Sequence, residues 1–150
     1  MKNVFDKEIA NDLIYRLNNL SPESRSKWGK MNPAQMLAHC NITYEMIYDN
    51  SLAQAKGIKK LLLNWFVKPT VVNEKSYKKN SMTAPIFKII DEKIFETQKQ
   101  NLTDFIEKTQ QLGEKEFEGK ESNSFWKLYI NQWNKIFFKH FGHHLNQFGI

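Results

Sequence analysis

Residues 125–149 read FWKLYINQWNKIFFKHFGHHLNQFG, and their apolar side chains recur at helical spacing. The positions that share one face of this helix are Tyr129/Ile130, Trp133, Ile136/Phe137, His140, His144 and Gln147. At about 100° per residue, His140 and His144 lie near the centre of that face, whereas His143 lies toward its edge. The stretch therefore predicts a long helix from about Phe125 to Gln147 that turns two imidazoles toward the protein interior.

The rest of the chain predicts three more long helices and a short one. Asp6 begins a helix that runs to about Asn19. The sequence Asn32-Pro33-Ala34-Gln35 begins a second, because it has an Asn N-cap, a proline at the first helical position and a glutamine three residues after the cap. Ile58 to Val67 predicts a short, strongly apolar helix that Pro69 ends. Asp91 to Gly113 predicts another long helix with glycine as its C-terminal cap.

These elements indicate one all-α domain. A chain of 150 residues fits a single domain over residues 1–150, and its 6 Gly and 4 Pro argue against a turn-rich β fold. The roughly 40 residues between the second and third long helices are too many for a simple hairpin. We predict a four-helix bundle with a long crossover that contains the short extra helix.

Composition narrows the function classes. The single cysteine, Cys40, excludes an intramolecular disulfide and a thiolate zinc cage. Asp6 and Glu8 interrupt the N-terminal stretch where a signal peptide needs apolar residues, and no apolar run approaches the roughly 20 residues of a membrane span. We therefore expect a soluble, cytoplasmic protein.

The net charge of +6 comes from 22 Lys and Arg against 16 Asp and Glu. The lysines are scattered among acidic residues, and the only arginines are Arg16 and Arg25, although arginine is the residue that clamps phosphates and reads guanine edges. We expect no nucleic-acid partner. The apolar helix at residues 58–67, with its flanking lysines, resembles a membrane-surface helix, but we favour a lid, a core-packing element or a homodimer contact and expect no membrane partner.

The histidines suggest a metal site. His140 and His144 are four residues apart and project from the same face of their helix, and His39 lies at the centre of the apolar stripe of the second helix. Unpaired neutral imidazoles in the interior would cost about 1–3 kcal/mol each, and a shared cation would satisfy all three. The competing interpretation is three separate core histidines that hydrogen-bond to carbonyl groups. We favour the metal.

Neighbouring residues have candidate supporting roles. Gln35 and Gln147 lie about one turn from His39 and His144, so either can orient a ligand imidazole or a bound water, although Gln35 also suits a capping box. Cys40 is expected to pack as a small apolar residue rather than act as a nucleophile.

The stretches that carry these features resemble a known family. They are Trp28-Gly29-Lys30-Met31, residues 33–39 (PAQMLAH), residues 80–85 (NSMTAP) and residues 139–149 (KHFGHHLNQFG). Together they resemble the DinB/YfiT-like superfamily of metal-dependent enzymes, in particular a subgroup of undefined function, over nearly the whole chain. The resemblance implies a four-helix bundle with a long crossover and a divalent metal, commonly zinc or nickel, held by the positions that match His39, His140 and His144.

The resemblance also implies a chemistry. Relatives include thiol-dependent transferases and isomerases and proteins described as hydrolases, so we expect a small-molecule substrate, including a low-molecular-weight thiol. Relatives often carry a His-Pro pair before the last helix, whereas residues 121–126 here read ESNSFW. Three neutral ligands leave an open metal position, but no Asp or Glu falls on the histidine-bearing stripes. The alternative is a non-catalytic metal- or ligand-binding bundle with a stress or structural role.

Overall fold

The computed structural model describes residues 2–49 and 52–150. The regular elements of these residues are, in order, α1 (Lys7–Asn18), α2 (Pro33–Tyr48), α3 (Gly57–Leu62), a π-helical segment (Leu63–Val67), α4 (Lys68–Val72), a 3₁₀ helix (Pro85–Phe87), α5 (Phe95–Phe117) and α6 (Ile130–Phe148). The sole β feature of the described residues is an isolated bridge between Glu121 and Lys127. The chain is all-α, as predicted.

The start of α2 is set by its capping box. The Asn32 side chain accepts a hydrogen bond from the Gln35 backbone N–H at 2.8 Å, and the Asn32 backbone N–H donates to Gln35 Oε1 at 3.1 Å. Pro33 occupies the first turn, where an amide hydrogen is not needed. The cap fixes where the helix begins, and the apolar residues that share a face with His39 turn that face to the interior.

The core lies where α1, α2, α5 and α6 meet. Helix α2 contacts α5 and α6, and α1 contacts the same two helices. The largest fully buried side chains are Leu13 and Leu17 of α1, Met36 and Leu37 of α2, Leu102 and Phe117 of α5, Leu128, and Trp133, Phe137, Phe141 and Leu145 of α6. Each such side chain contributes about 1.5–3 kcal/mol relative to an exposed one, so this packing holds α2 and α6 at a fixed separation.

Three predicted helix boundaries differ from the structure. Helix α5 begins at Phe95 rather than Asp91, and it resumes after Gly113, which has a left-handed φ of 69°, to end at Phe117. Helix α6 begins at Ile130 rather than Phe125, because the Leu128 N–H donates to the Lys120 carbonyl and holds that segment in a loop.

Pro69 does not end the short apolar helix as predicted. The π-helical segment follows α3 directly, and Pro69 lies in the first turn of α4. Proline is compatible with this position because it follows a π-helical segment, in which the Lys68 N–H bonds to the Leu63 carbonyl five residues back.

The segment between α2 and α5 lies against the helices that carry the histidines. The 3₁₀ helix contacts α2, and α4 contacts α6. The buried Lys139 of α6 anchors the end of α4, because its ammonium donates to the carbonyls of Thr70 and Asn73 at 2.7 and 3.0 Å and to Asn73 Oδ1 at 3.0 Å. None of the described helices is long and apolar enough to cross a membrane.

Candidate metal centre

Helices α2 and α6 bring three imidazoles together. One ring nitrogen from each of His39, His140 and His144 lies within 4.8 Å of the others. His39 Nε2 is 2.9 Å from His140 Nε2. His39 and His144 are buried, whereas His140 is partly exposed. The three rings therefore meet between α2 and α6, largely removed from solvent.

The Nδ1 atom of each ring is hydrogen-bonded away from the centre. His39 Nδ1 is 2.8 Å from the Phe87 carbonyl oxygen, and His144 Nδ1 is 2.8 Å from Gln147 Oε1. Carbonyl oxygens only accept hydrogen bonds, so both rings carry their proton on Nδ1 and keep a lone pair on Nε2. This is how metal-binding histidines are usually held in the correct tautomer.

Thr43 holds the third ring, and its hydroxyl suits either tautomer of His140. Thr43 Oγ1 is 2.9 Å from His140 Nδ1. Without a cation, a proton on His140 Nε2 satisfies the short contact to His39, and His140 Nδ1 accepts from the threonine hydroxyl. With the proton on Nδ1 instead, His140 donates to the same hydroxyl and all three Nε2 lone pairs are free. The donor set therefore fits a cation without a change in the total number of bound protons.

Burial keeps these imidazoles neutral. Loss of solvation lowers the pKa of His39, an effect that the hydrogen bond to the Phe87 carbonyl opposes. Desolvation, followed by the neighbouring His39, lowers the pKa of His144 to about 3, and the pKa of His140 is also well below its usual value, mainly because of desolvation. Neutral imidazole is the form that binds metal, so protons do not compete for the site near pH 7.

Gln147 connects the cluster to the loop before α2. Its Oε1 accepts from His144, and its Nε2 donates to the Trp28 carbonyl at 2.7 Å. Gly29 adopts a φ of +83°, and a Cβ built there would lie 2.5 Å from Gln147 Nε2. Glycine at position 29 thus permits the close approach that orients Gln147 toward His144.

His143 points to a different environment from that of His144. Its ring is half-buried, with centroids 5.7 Å from those of Trp28 and of Tyr77. These three residues line an open cleft of about 640 Å³, which Lys27 and Lys79 also border. Because the rings of His143 and His144 are in contact, with centroids 5.1 Å apart, this cleft adjoins the three-histidine cluster.

Other residues singled out in the sequence have structural roles. Gln35 uses its side-chain oxygen in the α2 capping box, and a further role beside His39 stays a prediction. Cys40 is fully buried, its Sγ lies 3.7 Å from Met36 Sδ, and burial raises the pKa of its thiol, so it packs as an apolar residue. In residues 121–126, Glu121 pairs with Lys60, and Ser122 Oγ accepts from the Phe125 N–H at 2.7 Å.

Two residues that hold the imidazoles were missed in the sequence. Thr43 lies one turn after His39 on the same helix face, and this spacing was a usable signal. Phe87 contributes its backbone carbonyl, which has no signature in the side-chain pattern. Comparisons of the chain with family models, with curated proteins and with solved structures give no match. The chemistry of the cluster is therefore argued from its geometry.

Proposed function

We propose that the protein binds one divalent cation through the Nε2 atoms of His39, His140 and His144. The observation that carries the proposal is the arrangement of the rings, in which each Nδ1 atom has a hydrogen-bond partner outside the cluster, His39 Nε2 meets His140 Nε2, and one nitrogen of each ring lies within 4.8 Å of the others. Imidazole ligands suit zinc, nickel and copper, and zinc or nickel is the expected ion. The surrounding fold in this proposal is a four-helix bundle of the DinB/YfiT-like type with a long crossover.

The same site supports an enzymatic function on a small molecule. Three neutral ligands leave a coordination position open to a water or a substrate. A cation held in this way lowers the pKa of a water or a thiol and polarises a carbonyl group. The reaction class we propose is hydrolysis or transfer of a low-molecular-weight thiol.

Residues of the adjoining cleft would bind and orient the substrate. Trp28 and Tyr77 supply apolar ring surfaces in contact with His143. The Lys79 ammonium lies 4.5 Å from the centroid of the Trp28 ring, so the cleft has a positive edge that attracts an anionic group.

Elemental analysis of the purified protein tests the metal site. We expect about one zinc or nickel ion per chain, and loss of that ion in His39→Ala, His140→Ala and His144→Ala. The matched control is His143→Ala, which removes a neighbouring imidazole of α6 outside the cluster and should leave the metal content unchanged. Equal metal loss in all four variants, or no metal in the wild type, would contradict the assignment.

A turnover assay separates an enzyme from a binding protein. Simple esters and amides, and thiols combined with electrophilic acceptors, should be turned over by the metal-loaded protein and not by His39→Ala. The alternative, a non-catalytic metal- or ligand-binding bundle, is favoured by the make-up of the cluster, which contains three imidazoles and no carboxylate to act as a base. Full metal occupancy, with a fourth protein ligand closing the coordination shell, would support that alternative.

A further inference from the structure

In the segment formed by α3 and the π-helical residues, polar side chains face the protein interior and apolar side chains face the solvent. Lys60 and Asn64, one turn apart, are each only 8% exposed. By contrast, Ile58 is 76%, Trp65 66% and Phe66 71% exposed. Leu61, Leu62 and Val67 extend the same surface, which we call the 58–67 face. A segment of this composition in a soluble domain normally packs its apolar side inward.

The reversal is held by specific bonds to the loop before α6. The Lys60 ammonium pairs with Glu121. Asn64 Nδ2 donates to the Lys60 carbonyl at 2.8 Å, and Asn64 Oδ1 accepts from the Trp126 N–H at 3.2 Å. Because these inward polar groups are satisfied, rotating the segment to bury its apolar residues would leave polar groups unpaired. The outward direction of Trp65 and Phe66 is thus built into the fold.

The exposed apolar area is large for one short segment. A phenylalanine or tryptophan offers about 150–250 Å², so Trp65 and Phe66 alone leave roughly 200–300 Å² in contact with solvent. With the neighbouring aliphatic residues the face approaches the size at which an exposed patch marks a protein or membrane contact.

The charge around the face favours an anionic surface over a second copy of the chain. Residues 52–73 contain no Asp or Glu, Lys60 is paired with Glu121, and Lys56 and Lys59 are exposed beside Ile58. Two copies of the chain meeting through this face would bring their lysines together, and the like charges would repel. An anionic surface, in contrast, complements both the lysines and the apolar residues.

The exposure of Trp65 and Phe66 changes the expectation from the sequence, which was a lid, a core-packing element or a homodimer contact and no membrane partner. We propose that the 58–67 face docks on an anionic lipid surface, with Trp65 and Phe66 entering the interfacial region and Lys56 and Lys59 at the headgroups. Tryptophan and lysine are the residues that such interfaces favour. The contact is peripheral, because the apolar side of a helix lying in the interface plane enters only about 5–10 Å. This inference is independent of the metal site.

Vesicle co-sedimentation of the full chain tests the proposal. We expect binding to vesicles of equal phosphatidylcholine and phosphatidylglycerol, weakening with added salt, and at least tenfold weaker binding to phosphatidylcholine alone. The double variant Trp65→Ser/Phe66→Ser should bind the anionic vesicles at least tenfold more weakly, whereas Trp65→Phe should retain most of the binding. Lys59→Gln should weaken binding about fivefold.

Matched controls lie on α1, away from the 58–67 face. Tyr15 is 69% exposed, so Tyr15→Ser removes a comparable exposed ring, and Lys7→Gln removes a comparable charge; neither should change binding. Unchanged circular dichroism and metal content would show that each variant is folded. Absence of binding, or equal binding to both vesicle types, would overturn the proposal. A wild-type dimer that Trp65→Ser/Phe66→Ser converts to a monomer would also overturn it, and would assign the face to a second copy of the chain.

Discussion

The hydroxyl of Thr43 should contribute to metal affinity through His140. Thr43→Val keeps the shape of the side chain and removes the hydrogen bond of 2.9 Å to His140 Nδ1. Loss of a partner that orients a metal-binding histidine typically costs 10–100-fold in affinity, which corresponds to about 1.4–2.7 kcal/mol. The Thr43 hydroxyl is an uncharged partner, and its hydrogen bond is weaker than that of a charged one. We therefore expect an effect near the lower limit, about tenfold.

The assay is competition for zinc between the protein and a chromophoric chelator at pH 7.5. Thr43→Ser keeps the hydroxyl and should stay within about threefold of the wild type. Thr109→Val is the matched control, because Thr109 is also a buried threonine, and its hydroxyl bonds to the Tyr48 hydroxyl at 2.7 Å rather than to an imidazole. It should lower stability and leave zinc affinity unchanged. Equal affinities for wild type and Thr43→Val, or equal losses in the valine and serine variants, would refute the reasoning.

Three further predictions concern the surroundings of His144. Because the pKa of His144 is lowered to about 3, the unfolded chain takes up a proton below about pH 6.5 that the folded metal-free chain does not, so this ring should reduce the free energy of unfolding by up to about 1.4 kcal/mol per pH unit as the pH falls. Urea titrations at pH 7.5 and 5.5 measure this; because His39 and His140 act in the same direction, His144→Leu should reduce the difference without abolishing it, and an undiminished difference would contradict the assignment. Gly29→Ala should lower Tm more than Gly119→Ala, since both glycines have positive φ but a Cβ at Gly29 alone meets Gln147; equal shifts would argue against the close approach. Gln147→Leu should weaken zinc binding by 10–100-fold, whereas Gln147→Glu, which keeps an acceptor for His144, should weaken it less; the reverse order would exclude the role of Gln147 as an acceptor.

The sequence predicted those parts of the site that depend on local periodicity. The spacing of His140 and His144 places both rings on one face of any α-helix, and the capping box at Asn32 determines the phase of the helix that carries His39. The link between Gln147 and His144 was also within reach, because residues three apart on a helix are neighbours. Each of these relations lies within a single turn, so no knowledge of the tertiary fold was needed.

The helix ends were less predictable because they depend on distant partners. Pro69 is compatible with α4 because a π-helical segment precedes it, and the N-terminus of α6 is delayed by bonds between Leu128 and Lys120. Turn propensities describe only a few consecutive residues. They therefore do not predict hydrogen bonds to a residue several positions away, which decide where these helices begin and end.

By itself the sequence determined an all-α chain with three imidazoles on the apolar faces of their helices, directed toward the interior of the protein. Hydrophobic periodicity is sufficient for this, since it fixes the side of a helix that a residue occupies. Only the tertiary structure decided that His39 meets His140 at 2.9 Å, that the Phe87 carbonyl holds His39, and that Lys60 and Asn64 turn the 58–67 face outward. The two contacts of His39 join residues 48 and 101 positions apart, and Lys60 and Asn64 are held inward by partners 61 and 62 positions away. Local periodicity constrains the direction of a side chain, whereas packing between helices selects its partner, and for that reason the three clustered histidines were predictable and their hydrogen-bond partners on other elements were not.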